Sequence, residues 1–366
     1  MNFLLHQFLF FTFITFTILT SFPKIFENNG YSYFIIGFLM MFMQITNLIL
    51  SLLFTKFTFK GKYLTYIYGM LFLNIVSLYF FIDNLYLTGI NFFIFAMLYS
   101  ISFTYNDSMI LEKYKEKFGQ FRAIGSAFFV LMSIFSYFYI HDVNVIFQLM
   151  VIASLIMFIN SFFLTKGTKT THQNIKITKQ HVLNEKNLYL FAILFNLSLG
   201  VYFSFYSIFL IELGYTINQV FIIFGLSVAS ETITLFFQHK IINKNIFFNV
   251  FNIMIASMVF TIIRFILIQL FPHEFSIQII ANLLHLFTFS LFFSSMLLYL
   301  KDKYPNEHFI YSKLYRGIGF GIGGTIGALL SGILYTNYGN YFFYIPAIFT
   351  FISIYFLFKL KKENSI

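Results

Sequence analysis

Three ionisable side chains stand inside apolar stretches of this sequence: an acid, a permanent cation and a titratable ring. Glu231, Arg264 and His285 each lie in one of three consecutive hydrophobic segments. An ionisable group at membrane depth costs at least about 2.5 kcal/mol, so such groups mark functional sites by default. A guanidinium stays charged, whereas a carboxyl group and an imidazole change protonation with their surroundings. The set predicts coupling of proton uptake to solute binding, and a structural ion pair beside a core histidine is the alternative.

Each of these residues belongs to a polar stripe at helical spacing, which gives its segment one polar face. Three such faces could enclose a water-filled cavity, in which nearby Arg264 would hold Glu231 ionised. The residues expected to line the cavity are Ser227, Thr261, Gln278, Asn282, Gln44, Asn47, Tyr202 and Tyr206. For Gln44 and Asn47, a bridge between helices is an open alternative. For the two tyrosines, simple packing is equally open.

The composition excludes a soluble enzyme. The 366 residues are 59% hydrophobic and only 10% charged, whereas about a quarter of the residues of a soluble domain are charged. Apolar stretches of 18 or more residues recur along the chain, and each is long enough to cross a bilayer as a helix. Strands of a membrane β-barrel would alternate polar and apolar residues, so a barrel is disfavoured. Cysteine is absent, the histidines show no metal spacing, and we expect neither a metal nor a cofactor.

Twelve apolar segments predict an all-α polytopic membrane protein. They lie near residues 3–21, 34–54, 63–82, 87–107, 119–140, 143–164, 187–211, 217–238, 246–270, 275–299, 314–336 and 340–358. Of the 23 Lys and Arg residues, 21 fall on one side of this arrangement, one (Lys24) falls on the other, and Arg264 lies in a span. This asymmetry predicts a cell inner or plasma membrane protein with both termini cytoplasmic. It also explains the net charge of +10 by topology, so nucleic acid is not an expected partner.

The polar segment 166–186 divides the chain into residues 1–165 and 187–366, with six spans each. A short internal repeat supports a duplication. Residues 121–126 (FRAIGS) open the fifth span, and residues 315–320 (YRGIGF) open the eleventh. We therefore expect two pseudo-symmetric six-helix bundles joined by a cytoplasmic loop, and a monomer.

Span eleven carries small residues on two helical rows. Gly319, Gly323 and Gly327 form one row, and Gly324, Ala328 and Gly332 form the other. Small residues let helix backbones approach closely in a membrane, so both rows predict helix packing. The same stretch matches G-x-G-x-x-G, but a nucleotide site needs a preceding strand and a βαβ unit, which this sequence lacks.

Charged residues at the cytoplasmic edge are candidates for a gate. Asp107 ends the fourth span and Arg122 begins the fifth, so the two could pair between helices. Arg316 has the equivalent position at the eleventh span. Ordinary solvation in the loops is the alternative.

These motifs, in this order, resemble the major facilitator superfamily, and most closely its phenylpropionate-permease-like group, which is related to proton symporters of the lactose permease type. The resemblance rests on Asp107 with residues 118–128 (FGQFRAIGSAF), residues 228–231 (VASE), Arg264 with Phe265, residues 284–289 (LHLFTF) and residues 315–324 (YRGIGFGIGG). It implies two bundles, a central solute cavity, and proton coupling through Glu231, Arg264 and His285. Thr288 stands where the lactose permease type has a second carboxylate, so sugar symport of that detailed kind is in doubt.

The function predicted from the sequence is secondary active transport by alternating access. The first hypothesis is proton-coupled symport of a small polar organic solute, such as an aromatic acid, a nucleoside or a sugar. The second is a drug or solute efflux antiporter of the same fold, although the first span lacks the acidic residue common in such proteins. We do not expect an enzyme, because no HExxH motif, paired Asp motif or nucleophile elbow occurs.

Overall fold

The computed structural model describes residues 2–53, 62–113, 118–164, 179–183, 185–242, 250–305 and 307–363. Within these ranges every regular element is helical, and twelve helices are long and apolar enough to cross a membrane. The prediction of an all-α protein with twelve spans is confirmed. The spans are α1 Phe3–Thr20, α2 Tyr33–Leu53, α3 Lys62–Phe80, α4 Leu85–Lys113, α5 Phe118–Tyr139, α6 Val143–Leu164, α7 Lys186–Glu212, α8 Ile217–Ile242, α9 Val250–Leu270, α10 Phe275–Lys303, α11 Ile310–Tyr338 and α12 Tyr344–Glu363.

Most of the predicted connecting segment 166–186 lies outside the described residues. A short helix, Lys179–Leu183, precedes α7 within it. The division of the chain at this segment stays a prediction.

Three of the spans contain a π-helical turn. These turns cover Phe10–Thr15 in α1, Leu286–Leu291 in α10 and Arg316–Gly323 in α11. A membrane helix must satisfy its own backbone hydrogen bonds, and a local π turn changes their register without exposing them to lipid. Such turns often occur at functional sites, and the turn in α10 begins directly after His285.

Next to two of the spans the chain forms short helices that the sequence pattern does not predict. The first span ends at Thr20, close to the predicted end near residue 21, and a second helix, Phe22–Asn28, follows a break at Ser21. Pro23 lies in the first turn of that helix, where its missing N–H group would have no partner anyway. The twelfth span begins at Tyr344 instead of residue 340, because Gly339–Tyr341 forms a separate 3₁₀ turn.

One row of small residues on α11 packs against α7, as the sequence predicts. A Cβ atom on Gly323 would lie 2.4 Å from the carbonyl oxygen of Ile193. A Cβ atom on Gly327 would lie 2.2 Å from the carbonyl oxygen of Leu197. Only a residue without a side chain allows the two backbones to lie this close.

The second row on α11 packs against α2. A Cβ atom on Gly332 would lie 2.2 Å from the carbonyl oxygen of Tyr33, and one on Gly37 would lie 2.7 Å from that of Ala328. Helix α11 therefore contacts a helix from each predicted half on two different faces. Helix packing is confirmed as the role of the glycine pattern.

The two ends of the helix bundle carry different contacts. Successive spans run in opposite directions, so the segments that hold most Lys and Arg residues follow α2, α4, α6, α8, α10 and α12. We call this end the basic face and the other end the opposite face. At the opposite face, the hydroxyl groups of Tyr33 in α2 and Tyr335 in α11 both donate to the carboxylate of Glu212 at the end of α7.

A second set of contacts at the opposite face joins α8 to α5. The amide nitrogen of Asn218 donates to the carbonyl oxygens of Ser136 at 3.2 Å and Tyr137 at 2.7 Å. The carbonyl of Tyr137 lies in the last turn of α5, where the helix itself supplies no donor, and the carbonyl of Ser136 also accepts the backbone N–H group of Ile140 at 3.0 Å. The amide oxygen of Asn218 accepts a hydrogen bond from Nδ1 of His141 at 3.0 Å. Residues 2–164 and 186–363 are thus linked at the opposite face.

Candidate functional site

Arg264, Glu231 and His285 come together between α8, α9 and α10. Arg264 is completely buried, and His285 and Glu231 are only 4% and 8% exposed. Nη1 of Arg264 lies 3.1 Å from Nδ1 of His285 and donates to the hydroxyl of Thr288 at 3.3 Å. The polar stripes that the sequence places on three separate spans therefore share one buried cluster, which we call the charged cluster.

The hydrogen bond between Arg264 and His285 fixes the state of the imidazole. A guanidinium only donates and does not lose its proton in proteins. Nδ1 of His285 must therefore be the acceptor, which leaves the ring neutral with its proton on Nε2. The neutral ring then directs a donor toward Glu231.

Glu231 lies on the far side of the imidazole from Arg264. Its Oε2 is 3.5 Å from Nε2 of His285. Within the described residues, Arg264 makes no ion pair with a carboxylate. The sequence suggests that Arg264 acts on Glu231 at close range, whereas the structure puts His285 between them.

The other nitrogen of the guanidinium is held by neutral oxygens. Nη2 of Arg264 donates to the hydroxyl of Tyr202 at 2.5 Å and to Oδ1 of Asn282 at 2.7 Å. The guanidinium carbon also lies 4.1 Å from the centre of the Tyr202 ring, a cation–π contact. The Tyr202 hydroxyl in turn donates to Oδ1 of Asn282 at 2.7 Å.

A chain of hydrogen bonds continues from Asn282 along α10. Its amide nitrogen donates to the hydroxyl of Tyr206 at 2.6 Å, and this hydroxyl donates to Oε1 of Gln278 at 2.9 Å. Gln278 donates to the carbonyl oxygens of Ile268 and Phe271. The cluster therefore contains four of the residues predicted to line a cavity, and Tyr202 and Tyr206 make polar contacts in addition to stacking on each other.

The remaining candidates lie outside this chain of hydrogen bonds. Ser227 and Thr261 are buried, and the Thr261 hydroxyl donates to the carbonyl of its own helix at Ser257. Gln44 borders Gly324 where α2 meets α11, and Asn47 donates to a carbonyl of its own helix. None of their described hydrogen bonds reaches Arg264. Their part in a solute site stays a prediction.

Aromatic rings surround His285 on the side toward the basic face. Phe289 stacks on the imidazole at 5.4 Å, and Phe203 meets it edge-on at 6.2 Å between ring centres. Phe293 stacks on Phe289 at 6.1 Å. Of these rings, only Phe289 belongs to a sequence motif quoted above (residues 284–289), and none of the three was predicted to line the site. The positions 285, 289 and 293 share the face of α10 that carries Asn282, and this spacing could have identified them.

The arginines proposed for a gate both lie on phenyl rings. The guanidinium carbon of Arg122 is 4.7 Å from the ring centre of Phe11 and 5.2 Å from that of Phe103. Arg316 is exposed, and its guanidinium carbon is 5.2 Å from the ring centre of Phe293. Asp107 lies on α4, but its side chain is outside the described part of the structure. The pairing of Asp107 with Arg122 stays a prediction.

Comparisons with known proteins place the chain in a family. The sequence profile described as "MFS_1 like family" matches residues 2–346. This chain belongs to that family. It is therefore a multi-pass membrane protein of the major facilitator superfamily, whose members are secondary transporters.

Solved structures of transporters share the fold. The nucleoside transporter NupG superposes with a TM-score of 0.81 at 14% sequence identity, and the match covers 100% of this chain and 98% of NupG. A bacterial homologue of the iron transporter ferroportin, in its inward-facing state, gives a TM-score of 0.74 at 13% identity, covering 98% of this chain and 97% of that one. A structure of a bacterial metal transporter gives 0.70 at 14% identity over 98% and 97% of the two chains. The comparison with curated protein sequences gives no match.

The metal transporters among these structures raise the question of a metal site. Within the described residues, no group of three or more His, Asp or Glu side chains is arranged to hold a metal ion. The low sequence identities establish the fold of this family member and leave its solute open.

Proposed function

We propose that this major facilitator protein is a proton-coupled symporter of a small polar organic solute in a cell inner or plasma membrane, with both termini in the cytoplasm. The observation that supports the proposal is that His285 lies between Glu231 and Arg264 in a buried cluster. Nε2 of His285 is 3.5 Å from Oε2 of Glu231, and its Nδ1 is 3.1 Å from Nη1 of Arg264. Each charged member costs free energy in a membrane interior. A transporter that couples a proton to a solute gives a reason for keeping all three.

Glu231 is the residue that takes the proton in this proposal. His285 cannot accept a proton on Nδ1 without giving up its hydrogen bond from Arg264. Glu231 is ionisable, slightly exposed, and next to the Nε2–H group of the imidazole. His285 then acts as a positioning residue that links the state of Glu231 to the position of Arg264.

Alternating access would move residues 1–165 against residues 187–366. The links of Tyr33, Glu212 and Tyr335 and of Asn218 with the end of α5 hold the opposite face closed in this conformation. A change to the other state must break these hydrogen bonds and open that face. The glycine row of α11 that faces α2 supports such a motion, because it lets α2 move along α11 without crossing side chains.

Replacing Glu231 with Gln should abolish proton-driven accumulation of the solute while solute exchange continues. The amide resembles a protonated carboxyl group, so the loaded carrier can still change conformation, but it cannot release a proton. A thermal-stability screen of the purified protein against organic acids, nucleosides and sugars first identifies a solute that binds. Uptake of that solute into proteoliposomes under a pH gradient, and counterflow without a gradient, then separate the two activities.

The matched control is Glu274→Gln. Glu274 is an exposed acid just before α10, so the same chemical change should leave both activities at the wild-type level. Proton-driven accumulation by the Glu231→Gln protein at the wild-type rate would show that Glu231 does not couple the proton. A drug-efflux antiporter would instead export dyes against a proton gradient and confer resistance when overexpressed.

A further inference from the structure

Glu212, at the end of α7, links the two parts of the chain at the opposite face. Its Oε1 accepts the hydroxyl group of Tyr33 in α2, and its Oε2 accepts that of Tyr335 in α11 at 2.5 Å. We call residues 2–164 the first half and residues 186–363 the second half. The hydrogen bond from Tyr33 therefore crosses between the halves, and the one from Tyr335 holds the carboxylate in place within the second half.

The strength of this link depends on the negative charge of Glu212. Within the described residues Glu212 forms no ion pair, and its hydrogen bonds come from the two tyrosine hydroxyl groups. Hydrogen bonds to an ionised acceptor are roughly twice as strong as those between neutral groups. The rings of Tyr33 and Tyr335 meet edge-on at 5.1 Å, and the ring of Phe205 lies 5.3 Å from that of Tyr335. Ionised Glu212 therefore stabilises the closed opposite face.

Protons can reach Glu212 from the solution at this face. Glu212 is exposed, and a cavity of about 120 Å³ opens beside its neighbour Ile211, lined also by Lys24, His141 and Asp142. This route does not pass through the charged cluster, which is buried between α8, α9 and α10. Glu212 and the charged cluster can therefore take up protons independently.

Protonation of Glu212 removes what the two tyrosines bind. A protonated carboxyl group keeps one full acceptor, and its other oxygen becomes a donor. Since both hydroxyl groups donate to the carboxylate, at least one of the two contacts must reverse or break. The hydrogen bond that remains also loses the extra strength of a charged acceptor. Acid therefore weakens the link between the halves.

The other acids and bases near the end of α7 do not replace this link. They are Lys24, Glu27, His141, Asp142, His273 and Glu274. Lys24 and Glu27 pair with each other at 2.8 Å within one short helix, and Asp142 accepts the backbone N–H group of Asn144 at 2.9 Å. Of these six residues, His141 is the one whose described hydrogen bonds include one between the halves.

The hydrogen bond of His141 does not weaken in acid. The amide nitrogen of Asn218 already donates to the carbonyl groups of Ser136 and Tyr137, so its Oδ1 must accept from Nδ1–H of His141. Nδ1 keeps this hydrogen when the ring takes up a second proton on Nε2. Of the two links that close the opposite face, acid therefore releases only the one at Glu212.

We propose that Glu212 is a second proton-binding site, open to the outside of the cell, and that its protonation releases Tyr33 and opens the opposite face. The outward orientation rests on the topology given in the proposed function, whereas the switch itself does not depend on proton coupling at Glu231. In a neutral medium the carrier stays closed toward the outside. An acidic medium opens it, so the solute is admitted when protons are abundant on the side from which they drive uptake.

The test measures the separation of the two halves at the opposite face. The chain has no cysteine, so Tyr86→Cys and Tyr341→Cys introduce the two thiols to which spin labels attach. Tyr86 at the start of α4 is 83% exposed and Tyr341 before α12 is 65% exposed. Pulsed electron paramagnetic resonance of the labelled protein in lipid nanodiscs then gives the distribution of distances. We expect a longer-distance population to grow between about pH 7.5 and about pH 4.5, where carboxylates take up protons.

Two variants in this labelled background imitate the released link at neutral pH. Glu212→Gln mimics the protonated carboxyl group, and Tyr33→Phe keeps the ring but removes the hydroxyl group. Each should raise the ratio of the long-distance to the short-distance population by roughly tenfold, the effect of losing one hydrogen bond to a charged group. Neither should respond further to acid.

Tyr31→Phe and Glu274→Gln are the matched controls. The hydroxyl group of Tyr31 donates to the carbonyl oxygen of Ile82 at 2.6 Å and to the hydroxyl group of Thr88 at 3.2 Å, and all three residues belong to the first half. Glu274 is an exposed acid of the same face. Both controls should keep the wild-type distances and the wild-type response to acid.

Two outcomes contradict the inference. One is a full response to acid in the Glu212→Gln protein. The other is a response that disappears in a His141→Gln protein and persists in the Tyr33→Phe protein, since it would assign the switch to the imidazole.

The same measurements separate the switch from the proposed function. If Glu212→Gln leaves the distances and their response to acid unchanged while Glu231→Gln abolishes proton-driven accumulation, the switch is wrong and proton symport stands. If Glu212→Gln opens the face but no solute moves protons in proteoliposomes, the switch stands and the proposed function fails.

Discussion

Arg264→Lys is expected to reduce solute transport by roughly 100-fold or more. The substitution removes at least two hydrogen bonds that a charged group donates, and each such bond contributes about 1.5–3 kcal/mol. The guanidinium reaches His285 and Thr288 through one nitrogen and Tyr202 and Asn282 through the other. A lysine ammonium keeps the charge but is a single point on a flexible stem, so it cannot bind both sets at once. Initial rates of uptake into proteoliposomes, normalised to the inserted protein, measure the loss.

The control for this substitution is Ser257→Ala on the same helix. Ser257 is buried, and its hydroxyl group has no hydrogen-bond partner, so its removal should leave transport close to the wild-type rate. Thermal unfolding of both variants shows whether either fold is disturbed. A Lys variant that is folded and transports at the wild-type rate would contradict a role for the geometry of the guanidinium.

Gly327→Ala is expected to destabilise the protein by about 1–3 kcal/mol, the usual cost of adding a methyl group to a well-packed interior. The new Cβ atom would lie 2.2 Å from the backbone carbonyl oxygen of Leu197. A backbone atom cannot turn aside as the end of a flexible side chain can, so α11 and α7 must separate. The melting temperature of the purified protein in detergent and the yield of monodisperse protein measure the effect.

Gly89→Ala is the matched control for this prediction. Gly89 also lies inside a membrane helix, α4, but a Cβ atom there would have no neighbour within 4 Å. The same substitution should be neutral or slightly stabilising at Gly89, since alanine favours the helix by roughly 0.5–1 kcal/mol over glycine. An equal loss of stability at both positions would mean that helix propensity and not backbone contact sets the cost at Gly327.

Much of the fold follows from local properties of the sequence. A stretch of about 20 apolar residues must cross the bilayer as a helix, because no other structure satisfies its backbone within lipid. This argument gave all twelve spans. Hydropathy could not predict the break at Ser21 or the π turns in α10 and α11. A π turn changes the helix register by a single residue and leaves the hydropathy of the segment unchanged.

The small residues of α11 show how much of the helix packing a sequence pattern can predict. Two rows at helical spacing establish that two faces of the helix pack closely, and both do. The pattern does not identify the partners, since any helix can approach a glycine face. The contacts of one row with α7 and of the other with α2 come from the arrangement of the whole bundle.

The charged cluster was likewise predictable from the sequence only in part. The sequence alone determined that Glu231, Arg264 and His285 lie on polar faces of adjacent spans, because the cost of burying an ionisable group in lipid turns such faces inward. Only the tertiary structure decided that His285 separates the acid from the guanidinium, and that Tyr202 and Asn282 hold the other side of Arg264. Hydrogen bonds depend on distances of a few tenths of an ångström between helices, and these distances are set by the rotation and depth of each helix against its neighbours, which the spacing within one helix does not encode.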